Sequence, residues 1–197
     1  NAINVVAGAA GALTTDDIDQ AADVIKNSQV FLTQLETPKE VVFHALKIAK
    51  ENNVITVLNP APAASIDKEI FPLIDYFTPN ETEASFYVNH KVEDEEDAKK
   101  ASEQLLQLGI KNIIITLGEK GAFFTNDTES FHVPVINLNN PVVDTTGAGD
   151  AFNGGFAVAL TENERHNIKD SIKFASATAG LSTTKIGTAN SMPSRDE

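Results

Sequence analysis

Short apolar runs, each closed by Asn, Pro, Gly or an acidic residue, alternate along this chain with segments of helical period, and that alternation restricts the fold most. Val30-Phe31-Leu32-Thr33, Val54-Ile55-Thr56-Val57-Leu58, Ile74-Asp75-Tyr76-Phe77-Thr78 and Ile113-Ile114-Ile115-Thr116-Leu117-Gly118 read as strands. Runs of this length, rich in β-branched and aromatic residues and bounded by turn formers, suit strands buried on both faces. Ile3 to Gly8 reads as a further strand, and Ala122-Phe123-Phe124 with Phe131-His132-Val133 as a hairpin around Asn126-Asp127. The intervening segments are helical. Asp16-Asp17 opens one with Ile18, Ala21, Ala22 and Ile25 on one face. Thr37 as N-cap, Pro38 at the first helical position and Glu40 closing a capping box open another, with Val41, Val42, Ala45, Leu46 and Ala49 on its stripe. A short helical piece is expected around Ile70, a helix from Asn80, one from Asp94 to Leu108 stopped by Gly109, and a last one from Ile168 to Thr183. Strands separated in this way imply βαβ units. The expected fold is therefore α/β, a mostly parallel sheet with helices on both faces, in one domain over residues 1–197.

Composition narrows the function classes. With 28 acidic against 15 basic residues the formal net charge is -13, which argues against a nucleic-acid surface or an anionic membrane as partner. No apolar run approaches the ~20 residues of a membrane span. The absence of cysteine excludes disulfides and thiolate metal sites and fits a cytoplasmic protein. The four histidines, His44, His90, His132 and His166, are scattered without ligand spacing.

The chemistry is expected in the run Pro141 to Leu160, where a glycine-rich turn opens into an apolar, small-residue helix. It is neither a GxxxxGK[ST] loop nor a full GxGxxG, because Phe152 stands where the third glycine belongs. Gly147 and Gly149 permit close backbone approach to a ligand, and unpaired N–H groups at a helix start favour an anion. Asp150 within the turn is either a helix cap or a base. A carboxylate beside an amide-lined pocket is what phosphoryl transfer to a hydroxyl requires. Other candidates have two readings each. Asn80-Glu81-Thr82-Glu83 is a capping-box pattern, or a pair that orients phosphates and hydrated Mg²⁺. Glu36 is a solvated loop carboxylate or an acceptor for sugar hydroxyls. Thr116 to Gly121 is a glycine turn or a set of contacts to nucleotide phosphates. Thr184 to Thr188 is a loop, a set of carbonyls for a monovalent cation, or a cover for an adenine. In an open α/β sheet ligands bind at the carboxyl ends of the strands. Glu36, Asn59, Asn80, Gly118 and Asp144, each following an expected strand, should converge on one edge.

Leu35-Glu36-Thr37-Pro38, Asn59-Pro60-Ala61-Pro62-Ala63, Thr78-Pro79-Asn80-Glu81-Thr82-Glu83, Thr116-Leu117-Gly118 with Lys120-Gly121, and Asp144-Thr145-Thr146-Gly147-Ala148-Gly149-Asp150 occur in this order over essentially the whole chain. In these elements the chain resembles the PfkB carbohydrate kinases, and within them the ribokinase branch. The resemblance implies a ribokinase-like sheet that binds ATP and a sugar at one edge, and ATP-dependent phosphorylation of D-ribose to ribose 5-phosphate in the cytoplasm. It implies Asp150 as the base acting on the sugar hydroxyl, and Gly147, Ala148 and Gly149 as an anion hole. Glu36, with Asp150, would touch the sugar. Asn80, the loop Thr116, Leu117, Gly118, Glu119, Lys120 and Gly121, Gly149 and Ser176 would lie along the nucleotide. Glu83 would serve Mg²⁺ through water. Asp144, Thr146, Ser182, Lys185, Gly187 and Ser191 would surround a K⁺. The family's N-terminal segment, with lid strands, a double-glycine sugar contact and an early aspartate, has no counterpart here. The chain thus corresponds to the C-terminal two thirds of such a kinase, without the lid sheet that pairs subunits into a homodimer, and is expected to phosphorylate ribose poorly by itself. A fructokinase or nucleoside kinase of the same family, and a non-catalytic nucleotide-binding module, are the alternatives.

Overall fold

The computed structural model describes residues 7–138, 140–162 and 167–197. The strand expected from Ile3 lies outside these residues as far as Val6, as does His166, and Ala7 and Gly8 are not strand. The described strands are β1 (Val30–Thr33), β2 (Ile55–Leu58), β3 (Tyr76–Phe77), β4 (Asn112–Thr116), β5 (Ala122–Thr125) and β6 (Ser130–Val133). They form one sheet in sequence order. The pairs β1 to β4 are parallel, and β4–β5 and β5–β6 antiparallel. The helices are α1 (Thr15–Gln20), α2 (Ala22–Lys26), α3 (Lys39–Glu51), α4 (Glu81–Val88), α5 (Glu95–Leu106), α6 (Ala148–Glu162) and α7 (Ile168–Ser182). The expected α/β architecture is found.

Alternation along β4 decides which helix covers which face. Ile113 and Ile115 join a core with Leu46, Ala84, Ala101 and Leu105, so α3, α4 and α5 lie on one side. Ile114 belongs with Phe152, Phe156, Leu160 and Ile172, so α6 and α7 lie on the other. All three isoleucines are fully buried, and each such side chain contributes about 1.5–3 kcal/mol of transfer free energy. The α3 stripe Val41, Val42, Ala45, Leu46 and Ala49 is buried as its period predicts. No helix among the described residues is long and apolar enough to cross a membrane.

Local details depart from the sequence expectations for physical reasons. The first helix breaks at Ala21 (φ −91°, ψ 0°) into α1 and α2, which brings Ile18 and Ile25 together against Ala45 and Ala49 of α3. It is capped by Thr14, not by an aspartate, in a reciprocal box with Asp17. Thr37 does not cap α3. Pro38 takes the cap position with extended ψ, and its carbonyl accepts from the N–H groups of Val41 and Val42. The piece near Ile70 is a single 3₁₀ turn, Phe71–Leu73, and β3 is shorter than its apolar run.

Below the opposite, amino-terminal edge of the sheet, Asp75 accepts from the Thr56 N–H (3.2 Å) and hydroxyl (3.1 Å) and pairs with Lys50, with Lys111 at 3.5 Å. Burial pushes this carboxyl up. The hydrogen bonds from Lys50 and Thr56 and the Lys50 charge outweigh burial and leave it below its ordinary value of 3.8. An acid lowered by folding stabilises the fold fully above its unfolded value, and that stabilisation disappears as pH falls through the folded value. We therefore expect Asp75→Asn to destabilise near neutral pH and the difference from wild type, measured by urea unfolding, to shrink toward about pH 3. An equal difference at both pH values would contradict this.

Candidate active site

Four parallel strands deliver polar residues to one edge. Gln34 and Glu36 follow β1, Asn59 follows β2, Thr78 and Asn80 follow β3, and Gly118 follows β4. The first turn of α6 meets the same edge. A cleft of about 420 Å³ opens there, bordered by Thr33, Gln34, Glu36, Thr37 and Asn59 on the sheet side and by Asp150, Asn153 and Gly154 on α6. Glu36 and Asp150, distant in sequence, thus face one cavity, and both are exposed.

Asp150 is the third residue of α6, and its carboxylate accepts a hydrogen bond from Gln34 Nε2 at 3.1 Å. It accepts from no backbone N–H of its own helix start, so the capping alternative has no hydrogen bond behind it. Gly147 has φ +79°, and a Cβ there would lie 3.1 Å from Thr188 Cγ2. Around it the N–H groups of Gly147, Gly149 and Asp150 donate to no protein atom among the described residues. A Cβ on Gly149 would meet nothing within 4 Å, so this corner is open as well as amide-lined. Three free donors at the positive end of a 15-residue helix favour an anion. The Ala148 N–H differs. It donates to the Thr145 carbonyl at 3.2 Å, which removes it from the expected set of amides.

Further along the edge, Asn80 forms an isolated parallel bridge with Thr116, whose N–H donates to Pro79 O at 3.0 Å. The loop Leu117 to Gly121 turns through a 3₁₀ segment, Gly118–Lys120, with positive φ at Gly118 and Gly121, and the side chain of Glu81 lies close by. Lys120 sends its ammonium to the carbonyl of Glu93 at 2.7 Å on the α4–α5 connection, so it offers the loop's ligand face backbone rather than charge. The exposed Glu119 has no hydrogen bond among the described residues, and Ser176 is buried on α7.

The capping-box reading of Asn80 and Glu83 is found. The Asn80 side chain accepts from Glu83 N–H, and the carboxylate of Glu83 accepts from Asn80 N–H (2.9 Å) and Nδ2 (3.0 Å), one bond per oxygen. Burial pushes the Glu83 carboxyl up, with Glu81 adding to the effect and the Asn80 bond opposing it. Each oxygen retains a lone pair, so the residue fits a Mg²⁺ held through water. The described residues contain no cluster of three or more His, Cys, Asp or Glu that would hold a bare ion.

Asp144 does not follow a strand, in contrast to expectation. The Pro134 and Pro141 residues flanking this connection supply no N–H for a ladder, and the Val143 and Asp144 N–H groups both donate to Thr183 O. Asp144 instead ties two loops together, accepting from Thr146 N–H at 2.9 Å and Gly187 N–H at 3.0 Å. The Thr146 bonds, then the Gly187 amide, hold its carboxyl below the ordinary range. Ser182 and Ser191 are buried and donate their hydroxyls to carbonyls one turn back, Ala179 and Thr188. Lys185 pairs with Glu197. Oxygens of Asp144, Ser182 and Ser191 together with loop carbonyls are hard donors that fit K⁺, whereas Lys185 can add only its carbonyl.

Sequence reasoning missed a hydrogen-bonded circuit beneath the cleft. Gln34 Nε2 donates to Asn59 Oδ1 (2.9 Å), Asn59 Nδ2 to the carbonyl of Thr78 (2.8 Å), Thr78 Oγ1 to Asn153 Oδ1 (2.7 Å), and Asn153 Nδ2 to the carbonyl of Gly149 (2.9 Å). Asn153 carried a legible signal, a polar residue one turn after Gly149 among the buried Ala151, Phe152 and Phe156.

Comparisons with known proteins identify the family and the fold. The profile of the pfkB family carbohydrate kinases matches residues 1–195. Over its whole length the chain is 41% identical to the ribokinase of Haemophilus influenzae, covering 63% of that protein, and 37% identical to the deoxyribokinase of Salmonella typhi, again covering 63%. The structure of Arabidopsis thaliana ribokinase complexed with ribose and ATP superposes with a TM-score of 0.88 at 31% identity, over 99% of this chain and 62% of that one. The chain therefore spans less than two thirds of the length of these relatives.

Proposed function

We propose, from the premise that the chain belongs to the pfkB family of carbohydrate kinases, that the protein transfers the γ-phosphoryl group of ATP to the 5-hydroxyl of D-ribose. One observation carries the proposal. Glu36 and Asp150 border one cleft at the carboxyl edge of the sheet, and the free amides of Gly147, Gly149 and Asp150 stand at the start of the helix that carries Asp150. Glu36 accepts from sugar hydroxyls. Asp150 takes the proton of the attacking hydroxyl as its oxygen bonds to the γ-phosphorus and the bond to the ADP oxygen breaks. The amides then meet the charge on the transferred group. Their worth comes from being already oriented before the reaction. The loop Thr116 to Gly121, Asn80 and Ser176 hold the nucleotide. Glu83 would hold Mg²⁺ through water, and Asp144 with Ser182, Ser191 and the Thr146 and Gly187 loops would hold K⁺. When bound, these cations neutralise phosphate charge. The nucleotide half and the base lie in this chain as one α/β domain of a cytoplasmic enzyme. Residues 1–197, about 63% of the length of the ribokinase and deoxyribokinase relatives, turn over ribose slowly by themselves.

The reading is tested by measuring kcat/KM of the full-length protein with ATP and D-ribose, 2-deoxyribose, fructose or a nucleoside, with the product identified by ³¹P NMR. A preference for ribose, giving the 5-phosphate, supports it. Preference for 2-deoxyribose changes the sugar, and no transfer to any of the four refutes the activity.

A further inference from the structure

We propose that Gln34 is a positioning residue for Asp150, set by an amide relay that starts at a backbone carbonyl and ends on one oxygen of that carboxylate. The inference rests on the proposed role of Asp150 as the base. The Thr78 carbonyl can only accept a hydrogen bond, so Asn59 must turn its Nδ2 toward it, at 2.8 Å. That fixes Asn59 Oδ1 toward Gln34, which must answer with Nε2 at 2.9 Å. An amide nitrogen carries two N–H groups, and the second is directed to Asp150 Oδ1 at 3.1 Å. The direction of every bond follows from one peptide group in β3's carboxyl end, with no freedom for Gln34 to present its oxygen.

Burial makes the relay stiff at its root and adaptable at its tip. Thr78 and Asn59 are 1% and 8% exposed, Gln34 is half-buried, and Asp150 is exposed. A second branch from the same strand end runs through Thr78 Oγ1 and Asn153 to the Gly149 carbonyl, and so registers the first turn of α6 against β3. The two branches together hold the carboxylate and the neighbouring free amides in one frame. Gln34 occupies Oδ1 and leaves Oδ2 as the oxygen without a protein partner among the described residues. The acceptor hydroxyl therefore meets Oδ2, and Gln34 decides which oxygen works.

The test uses the full-length protein with Gln34→Leu, which keeps bulk and removes the donor, and Gln34→Glu, which keeps shape and reverses the polarity at Asp150. Expected for Gln34→Leu is a fall in kcat of about 10- to 100-fold, the size typical of a lost supporting hydrogen bond, with KM for ATP within about twofold, while the buried Asn59 Oδ1 left without its donor lowers the melting temperature by a few degrees. Gln34→Glu is expected to lose more than Gln34→Leu. Normal kcat in Gln34→Leu, or a loss carried by KM for ATP, or Gln34→Glu equal to or better than Gln34→Leu, would overturn the inference. Should the leucine variant fail to fold, the nearly isosteric glutamate variant decides alone, by a loss of kcat at unchanged KM. Asp150→Asn separates the layers. If it turns over normally, the base assignment fails, whereas an impaired Asp150→Asn beside a normal Gln34→Leu removes only the relay.

Discussion

Replacing Asp150 by Asn in the full-length protein is expected to reduce kcat by about 10²–10⁴, equivalent to roughly 3–5 kcal/mol of barrier, while the melting temperature stays nearly constant. The separation follows from geometry. The carboxylate is exposed and its hydrogen bond comes from the Gln34 side chain, which an Asn oxygen can still accept. Had it been an N-cap, Asp150→Ala would cost about 1 kcal/mol of stability and leave turnover intact, whereas Asn caps a helix about as well as Asp. Its place in the first turn gives it at most the dipole interaction open to any acid there, about 0.3–1 kcal/mol. Measured together, kcat and melting temperature distinguish the two roles. Intact turnover of Asp150→Ala with a lowered melting temperature would return Asp150 to the helix start.

The largest expected effect on stability lies at Gly121, which closes the turn from β4 into β5. Its N–H donates to the Gly118 carbonyl and its own carbonyl accepts from Leu117 N–H. A Cβ there would stand 2.1 Å from the carbonyl oxygen of Val133 and 2.9 Å from backbone atoms of Pro134 and Val135, at φ +97°. These are atoms of the neighbouring strand's exit and cannot rotate away as a side chain does. We expect Gly121→Ala to cost about 3–5 kcal/mol and to loosen the loop Thr116 to Gly121. Gly109 is the internal control. It has the same φ of +97°, but a Cβ would meet nothing within 4 Å, so Gly109→Ala should cost only the conformational strain, about 1–2 kcal/mol. Urea unfolding of both variants measures the difference, and equal losses would show that the clash is absorbed.

Much of the fold was legible because burial imposes periods on the sequence. Ile113, Ile114 and Ile115 had to be a strand covered on both faces, and the α3 stripe could face only one way. Asn80 with Glu83 announced a helix start, and the box is complete. Residues that end strands proved good guides where the strand was real, at Glu36, Asn59, Asn80 and Gly118. Asp144 failed that reasoning because its surroundings are held by hydrogen bonds to Thr183, Thr146 and Gly187, none of which has a period. Thr37 failed because the proline after it took the cap position. Gln34 was passed over, and the contact made by the Lys120 ammonium was not foreseen, for a common reason. What a long polar side chain does depends on which neighbour lies within about 3 Å, Asn59 and Asp150 for one and the Glu93 carbonyl for the other, and strand order alone brings those partners together.

A crystal structure of the full-length protein with ribose and a non-hydrolysable ATP analogue tests the central claim most directly. The sugar is expected in the cleft between Glu36 and Asp150, its 5-hydroxyl about 2.6–3.2 Å from Asp150 Oδ2, and the γ-phosphate against the amides of Gly147, Gly149 and Asp150. A sugar seated away from Asp150, or a γ-phosphate that leaves those amides unpaired, would contradict it.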